Sequence, residues 1–446
     1  MEGTKKTAIR DFDSGGDRPY QRYPEYESSE GNNLQKVPTH WKDKAFQYWA
    51  EKKNDKGNGN ERDFITLEHI NSVTGDLVDD FKFEKKNSEE YYLFESGDVL
   101  FGKLRPYLRK YYQVDRNGCC GTDLMVLRPK SDVKSRFLYY FLHSEDFIQF
   151  TDANSHGVKM PRTSWTKISS AHFRLPSAEE QEAIVEFLDS KLGGVDQLIE
   201  KKERLIDYLK EKRHTVIKDA VSTGLNTDVE MKDSGVDWLG EVPAHWDVPR
   251  IRFVARMESG HTPSKSEDEY WDGDIQWVSL ADSNYLREND FISETDKQIS
   301  EEGVANSSAR ILPPETMVFT RDATVGLCAI TTREMAVSQH IIGWICEDNL
   351  IPEYLLNVTK AMDQELERLT MGATISTVGM EDIKKLRMPL PPIQEQQAIV
   401  EYLNEELGKY STSIEKIQTG IEVLKEYRTA LVTKAVTGQI DVRGEV

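Results

Sequence analysis

Cysteine is scarce in this chain of 446 residues: there are four, Cys119, Cys120, Cys328 and Cys346, and no Cys-x-x-Cys pair. That supports neither a disulfide framework nor a cysteine zinc site, and a reducing cytoplasm suits the sequence. Long apolar runs are also missing, so no segment reaches transmembrane length. The opening 1–31 stretch is polar, charged and glycine-containing. It reads as a disordered tail, not as a signal peptide. Positive charge is in deficit: 57 Lys and Arg stand against 77 Asp and Glu, a net charge of −20. Such a balance favours solubility and by itself opposes nucleic-acid binding.

Chemistry is equally sparse. An amino-methyltransferase needs an Asn/Asp-Pro-Pro-aromatic motif, but Pro-Pro occurs only at Pro313-Pro314 and Pro391-Pro392, in other contexts. A phosphate-binding loop needs Gly-Lys-Ser/Thr. Here Gly102-Lys103 is followed by Leu104, and Gly408-Lys409 by Tyr410. No His pair stands at metal-ligand spacing, so a catalytic or metal-holding role for this chain has no motif behind it.

What is present is a long internal repeat. Leu175 to Val221 aligns without a gap on Leu390 to Val436, sharing the Leu-Pro start, the pairs Glu180-Gln181 and Glu395-Gln396, an Ala-Ile-Val-Glu run and an Ala-Val end. Each copy predicts one helix, with proline just ahead of it. Val185, Leu188, Leu192, Ile199, Ile206 and Leu209 mark an apolar seam at heptad spacing in the first copy. Val400, Leu403, Leu407, Ile414, Ile421 and Leu424 mark it in the second. A seam of this kind needs a partner helix, and the other copy supplies one. Lys202, Arg213 and Arg428 interrupt it, as snorkelling stems would at a solvated seam. About 45 residues make a rod of roughly 65 Å.

Each helix follows a mixed region opened by a related segment, Val37-Pro38-Thr39-His40-Trp41 or Val242-Pro243-Ala244-His245-Trp246. Short apolar runs between turn signals predict strands. Asp63–Leu67 matches Gln276–Leu280, Gly97–Phe101 loosely matches Pro314–Phe319, and Leu124–Leu127 matches Ile341–Trp344. Ser135–Phe150 and Pro352–Leu369 read as short amphipathic helices. The expected fold class is α+β: a tandem of two mixed units, each followed by a long helix, the helices pairing as an antiparallel coiled coil. The boundaries are a tail over 1–31, a unit over 32–176, a helix over 177–222, a linker over 223–241, a unit over 242–391, a helix over 392–437 and a tail over 438–446.

The overall charge hides a basic first unit. Lys103, Arg105, Arg109, Lys110, Arg116, Arg128, Lys130, Lys134 and Arg136 are opposed only by Asp115, Asp123 and Asp132, with Tyr107, Tyr111 and Tyr112 interleaved. Lys159, Arg162, Lys167 and Arg174 follow in a stretch without acids. One such run is ordinarily a solvated face; two bracketing one domain favour phosphate contact. The candidates are Lys103, Arg105, Arg109, Lys110, Lys159, Arg162 and Lys167. The second unit differs, since residues 267–302 are strongly acidic. Its DNA surface is expected at Arg321–Thr324, at Ser338-Gln339-His340, and at Thr370–Thr377 with Thr374 and Ser376. Gln339 and His340 have the groups to read base edges, while buried or capping roles compete with that reading.

The chain resembles the specificity subunits of type I restriction-modification systems. The resemblance runs from about Tyr23 to Arg443. It rests on Trp238-Leu239-Gly240-Glu241 leading into Val242–Trp246, on Gly260-His261-Thr262-Pro263 followed by Tyr270–Ser279, and on the duplicated Leu-Pro…Glu-Gln…Ala-Ile-Val helices. The first copy lacks the Gly-Thr-Pro and Tyr-Trp-Gly marks. The resemblance implies two target-recognition domains, each reading one half of a split double-stranded DNA site. It implies helices that space the halves and dock two methyltransferase (modification) subunits, with or without a translocase-nuclease. S-adenosylmethionine, ATP and magnesium then belong to those partners, and this chain binds no cofactor or metal. A coiled-coil adaptor with protein-binding units is the rival reading, favoured by the net charge. A self-sufficient methyltransferase is opposed by the missing motifs.

Overall fold

A computed structural model describes residues 20–28, 36–57, 64–72, 75–78, 91–157, 159–370 and 377–445. The chain divides into two compact units: residues up to Glu203 together with Gln418–Val446, and Arg204–Ile417. Each long helix is therefore split between the units. The helices span Ala178–Thr223 and Ile393–Val436. They run unbroken through Gly193-Gly194 and Gly408, where an added Cβ would meet only open space. Among the described residues no helix is long and apolar enough to cross a membrane.

In the first unit a four-stranded antiparallel sheet has the order Ala50–Lys53, Leu124–Pro129, Val99–Gly102, Tyr111–Gln113, its two central strands apolar runs buried on both faces. A smaller sheet orders Phe64–Ile65, Gly118–Cys120 and Tyr92–Phe94, the first pair parallel. The helices Ser135–His143 and Glu145–Ala153 are separated by Ser144, whose hydroxyl accepts from Phe147 N–H and caps the second. Their apolar faces enter one core with Trp49, Phe101 and Phe173.

The second unit repeats this plan. Its main sheet orders Ala255–Ser259, Ile341–Cys346, Met317–Thr320 and Cys328–Thr331, with Phe291–Ile292 added in parallel at the edge. Trp271–Val278 pairs in parallel with Met335–Val337, as Phe64–Ile65 does with Gly118–Cys120. The three segment pairs matched in the sequence thus occupy equivalent strands. The acidic stretch holds Glu269, Asp272 and Asp274 at the surface.

Within the first unit the helix segments are antiparallel: Asp196 meets Arg428, while Lys202 lies against Gly420. Leu188, Leu192, Ile199 and Ile421 are buried there, with Val185 and Leu424 half-buried. In the second unit Ile206, Val400, Leu403 and Leu407 are buried, and Leu209 and Ile414 half-buried. Ile184 and Phe187, and Ile217 and Ile399, join the same cores as the seam residues, so each helix packs on its unit's globular part as well as on the other helix. Arg428 does not snorkel. It is buried, with only 7% of its side chain exposed, and its Nε donates to Asp196 Oδ1 at 3.0 Å.

Part of the expected disordered tail is ordered. Tyr26–Ser28 pairs with Lys36–Pro38, and Tyr23 is buried edge-on to Trp41 at 5.9 Å. Aromatic residues in a polar segment give it a core to enter, and Tyr20 likewise meets the Phe187 ring at 5.4 Å. In the linker region Met231–Asp233 pairs with Glu241–Pro243. At the C-terminal end Ile440 and Val442 are buried in the first unit's core.

The repeated Glu-Gln pair is a clasp between each helix start and its globular region. Glu180 Oε1 pairs with His40 Nε2 at 2.8 Å and accepts from the Trp41 indole at 3.4 Å. Glu395 does the same with His245 at 2.8 Å and Trp246 at 2.9 Å. Gln181 accepts from Lys134 N–H and donates to the carbonyls of Asp132 and Pro176. Gln396 accepts from Ile351 N–H and donates to Asn349 and Pro391. The His-Trp and Glu-Gln marks of the sequence are two sides of one joint.

Candidate nucleic-acid interface

At one end of each main sheet three loops are tied together by backbone hydrogen bonds. In the first unit Lys103 N–H donates to Asp123 O at 3.0 Å, and Thr163 N–H donates to Lys103 O at 3.0 Å. Leu104 bridges to Arg162, and Arg162 to His156. In the second unit Arg321 N–H donates to His340 O at 3.0 Å, and Val378 N–H donates to Arg321 O at 2.9 Å. Asp322 bridges to Thr377. Lys103 and Arg321, Asp123 and His340, and Arg162 and Thr377 are therefore equivalent places on one scaffold. Segments far apart in sequence converge because each main sheet delivers two neighbouring strand ends there, and Arg162-Thr163 in one unit and Thr377-Val378 in the other bond to them.

The first unit's site is cationic. Arg105 is exposed in the left-handed region (φ 49°), where its N–H donates to Pro161 O and its guanidinium to Lys159 O at 3.2 Å. Lys159 and Arg162 are exposed, and Arg162 pairs with Asp123 at 3.1 Å. Burial draws the Lys103 ammonium below its ordinary pKa, Asp123 opposes that, and Lys52 and Arg162 add to the lowering. Asp123 offsets Arg162 and Lys103, while Arg105 and Lys159 have no acidic partner among these contacts, which leaves a surplus of positive charge for phosphate. Lys167 stands exposed on the following short helix, Trp165–Ser169.

Two sequence candidates go elsewhere. Arg109 donates to His143 O at 2.8 Å and pairs with Glu145. The Lys110 ammonium donates to Ile70 O, and its burial lowers its pKa. Both hold the fold together, which a count of basic residues along a run cannot distinguish from surface charge. Arg109 also lines a cavity of about 740 Å³ with Tyr107, His143 and Arg428.

The second unit's site is polar. His340 Nδ1 lies 2.6 Å from Asp322 Oδ2, and its Nε2 lies 3.0 Å from Gln339 Nε2. The Thr262 hydroxyl donates to Gln339 Oε1 at 2.6 Å. Thr262 comes from the Gly260–Pro263 motif. Gly260 sits so close to Val337 that a Cβ would fall 1.5 Å from its carbonyl oxygen. Only glycine allows this approach. Arg321 is mostly covered, its Nε 3.6 Å from Asp322. Thr324 Oγ1 donates to Ser283 Oγ at 3.3 Å. Ser338 is buried, with its N–H on Val278 O, and so supports the loop without presenting a side chain. Thr374 and Ser376 lie outside the described residues. Asp322 lies within the expected Arg321–Thr324 surface, whereas Thr262 is a site residue that the sequence reading does not name, although its Gly260–Pro263 segment is singled out there. Nearby in sequence, Glu258 is buried between two exposed guanidiniums, Arg256 and Arg310, each at 2.7 Å.

The family model for the type I restriction modification DNA specificity domain matches residues 43–207 and again 243–424. The MjaIX type I restriction enzyme specificity subunit of Methanocaldococcus jannaschii is 32% identical over 209 residues, 45% of this chain and 47% of that protein. The match thus spans about half of that relative's length. The HindI specificity subunit of Haemophilus influenzae is 24% identical over 411 residues, 78% of this chain and 87% of that one. A chain solved in a study of complex assembly and conformational transition of the type I R-M system aligns at TM-score 0.68 and 18% identity, over 91% of this chain and 100% of that chain.

Proposed function

The chain belongs to the type I restriction modification DNA specificity family, and on that ground we propose that each compact unit reads one half of a split DNA site through its three-loop end. The observation that carries this is the equivalence of the two ends: the same backbone hydrogen bonds present Lys103, Arg105, Lys159 and Arg162 in one unit and Gln339 and His340 in the other. One scaffold with different side chains is what two independent readers need. Phosphate contacts position a protein on DNA and base contacts specify. The first unit is rich in the former. In the second, Arg256 and Arg310 on Glu258 offset the acidic stretch.

The paired helices serve as the spacer and as the docking surface for methyltransferase subunits, two per chain because the repeat is double. Methyl transfer with S-adenosylmethionine, and any translocation or cleavage with ATP and magnesium, belong to those partners. This chain is non-catalytic and works with them in the cytoplasm. The adaptor reading has no counterpart for the duplicated cationic and amide-bearing loops. Gel shifts over a salt series, with and without the partner methyltransferase, test the proposal. Its net charge of −20 makes the lone chain a weak DNA binder, and the assembled complex should bind tightly, with an affinity that falls steeply as salt rises. Equal affinity and specificity without the partner contradicts the docking role; no DNA binding in either state contradicts the whole reading.

A further inference from the structure

The second unit's site contains one exposed amide whose orientation is fixed from both sides. Asp322 accepts at His340 Nδ1, so the neutral imidazole carries its proton there and leaves Nε2 as an acceptor. Gln339 must then turn its NH₂ group to His340, at 3.0 Å, and its carbonyl oxygen to Thr262, at 2.6 Å. The reverse orientation would set the amide oxygen against the unprotonated Nε2. The Thr262 hydroxyl can donate or accept, so His340 decides. A primary amide has two N–H donors and two oxygen lone pairs. One of each is used, and one of each remains on an exposed side chain.

We propose that Gln339 is a base-reading residue of the second unit and that it reads an adenine in the major groove, with Asp322, His340 and Thr262 as positioning residues that set its amide. Adenine offers N7 as acceptor and N6–H as donor side by side, and glutamine satisfies both at once. A free surface glutamine would lose rotamer freedom on binding and could present its amide either way. The Asp322–His340–Gln339–Thr262 chain removes both costs before DNA arrives. The need for this geometry also accounts for Gly260: its approach to Val337 is what brings Thr262 to the residue two places beyond. The inference rests on the unit being a DNA reader.

The test uses the full chain assembled with its methyltransferase partner and a pool of random duplex DNA, from which bound sequences are selected and read. The wild-type complex should yield a two-part motif. Gln339→Ala should abolish an adenine preference, on the order of tenfold or more, at one position of one half and leave the other half intact. Gln339→Glu should move that position toward cytosine, whose N4 donates to a carboxylate. Thr262→Val and Asp322→Asn should relax the same position and leave the other half of the motif intact, and Thr262→Ser, which keeps the hydroxyl, should retain the adenine preference. A motif unchanged in Gln339→Ala, or a change at a position that is not adenine, overturns the inference while the two-reader proposal stands. A wild-type complex that selects no motif overturns both.

Discussion

Arg428 donates its Nε to Asp196 Oδ1 at 3.0 Å, joining the second long helix to the first inside the first unit. The pair is covered, with 7% and 28% of the two side chains exposed. Removing one partner strands the other charge, so Arg428→Met alone should cost on the order of 3 kcal/mol. The double replacement Asp196→Leu, Arg428→Met should recover most of it, since apolar packing matches a buried ion pair. Urea unfolding of the wild type and the two variants checks this. Burial holds the Asp196 carboxyl above its ordinary pKa, with Arg428 offsetting part of the rise. The folded state therefore binds that proton more tightly than the unfolded chain. This group's contribution is fully present below the ordinary carboxylate value and is lost as pH rises through the elevated one. Asp196→Asn should remove that slope.

The Glu-Gln clasp makes a second prediction. Gln396 is fully buried and serves three backbone groups, Ile351 N–H at 2.9 Å, Asn349 O at 2.8 Å and Pro391 O at 2.9 Å. Gln396→Ala should cost roughly 3 kcal/mol, given about 1–3 kcal/mol for each buried group left unpaired. Gln396→Glu should be at least as damaging, because it sets a carboxylate against two carbonyls. Gln181 should behave alike. Thermal unfolding would show it, and a loss below about 0.5 kcal/mol would mean that water replaces the side chain.

Salt dependence separates the two kinds of basic residue in the first unit. Lys159→Ala and Arg162→Ala should each lower the magnitude of the log–log salt slope of DNA binding by about 1. Lys110→Ala should leave the slope unchanged, because its ammonium is bonded to Ile70 O. Equal effects from all three would mean that Lys110 leaves its carbonyl to reach phosphate.

The buried thiols report on folding. Burial pushes the pKa of both Cys120 and Cys328 up to about 12. The thiolate is the reactive form, so at pH 8 thiol reagents should modify these residues only as the chain opens. Labelling that outpaces unfolding measured by fluorescence would contradict their burial.

Much of this architecture is legible in the sequence. The duplicated helices announce themselves by heptad spacing, and three strand matches fall on equivalent strands of the two units. What periodicity cannot supply is the role of polar residues. Arg428 looks like an interruption of the seam because its partner, Asp196, lies on another helix. Arg109 and Lys110 look like surface charge because Glu145 and Ile70, which bind them, are distant in sequence. Thr262 and Gln339 meet only after an antiparallel pairing sets Ser259 opposite Ile342 and brings Gly260 against Val337. The ordered Tyr23 segment is hidden by the polar residues around it.

The central claim is that two units on one scaffold read two half-sites independently. Host DNA methylated by the partner methyltransferase, mapped base by base, tests it. The wild-type chain should direct methylation to a split motif. Exchanging residues 42–174 for those of a relative with a different target should change one half of that motif and leave the other half and the spacing as they were. A change in both halves, or methylation that follows no split motif in the wild type, would contradict the account.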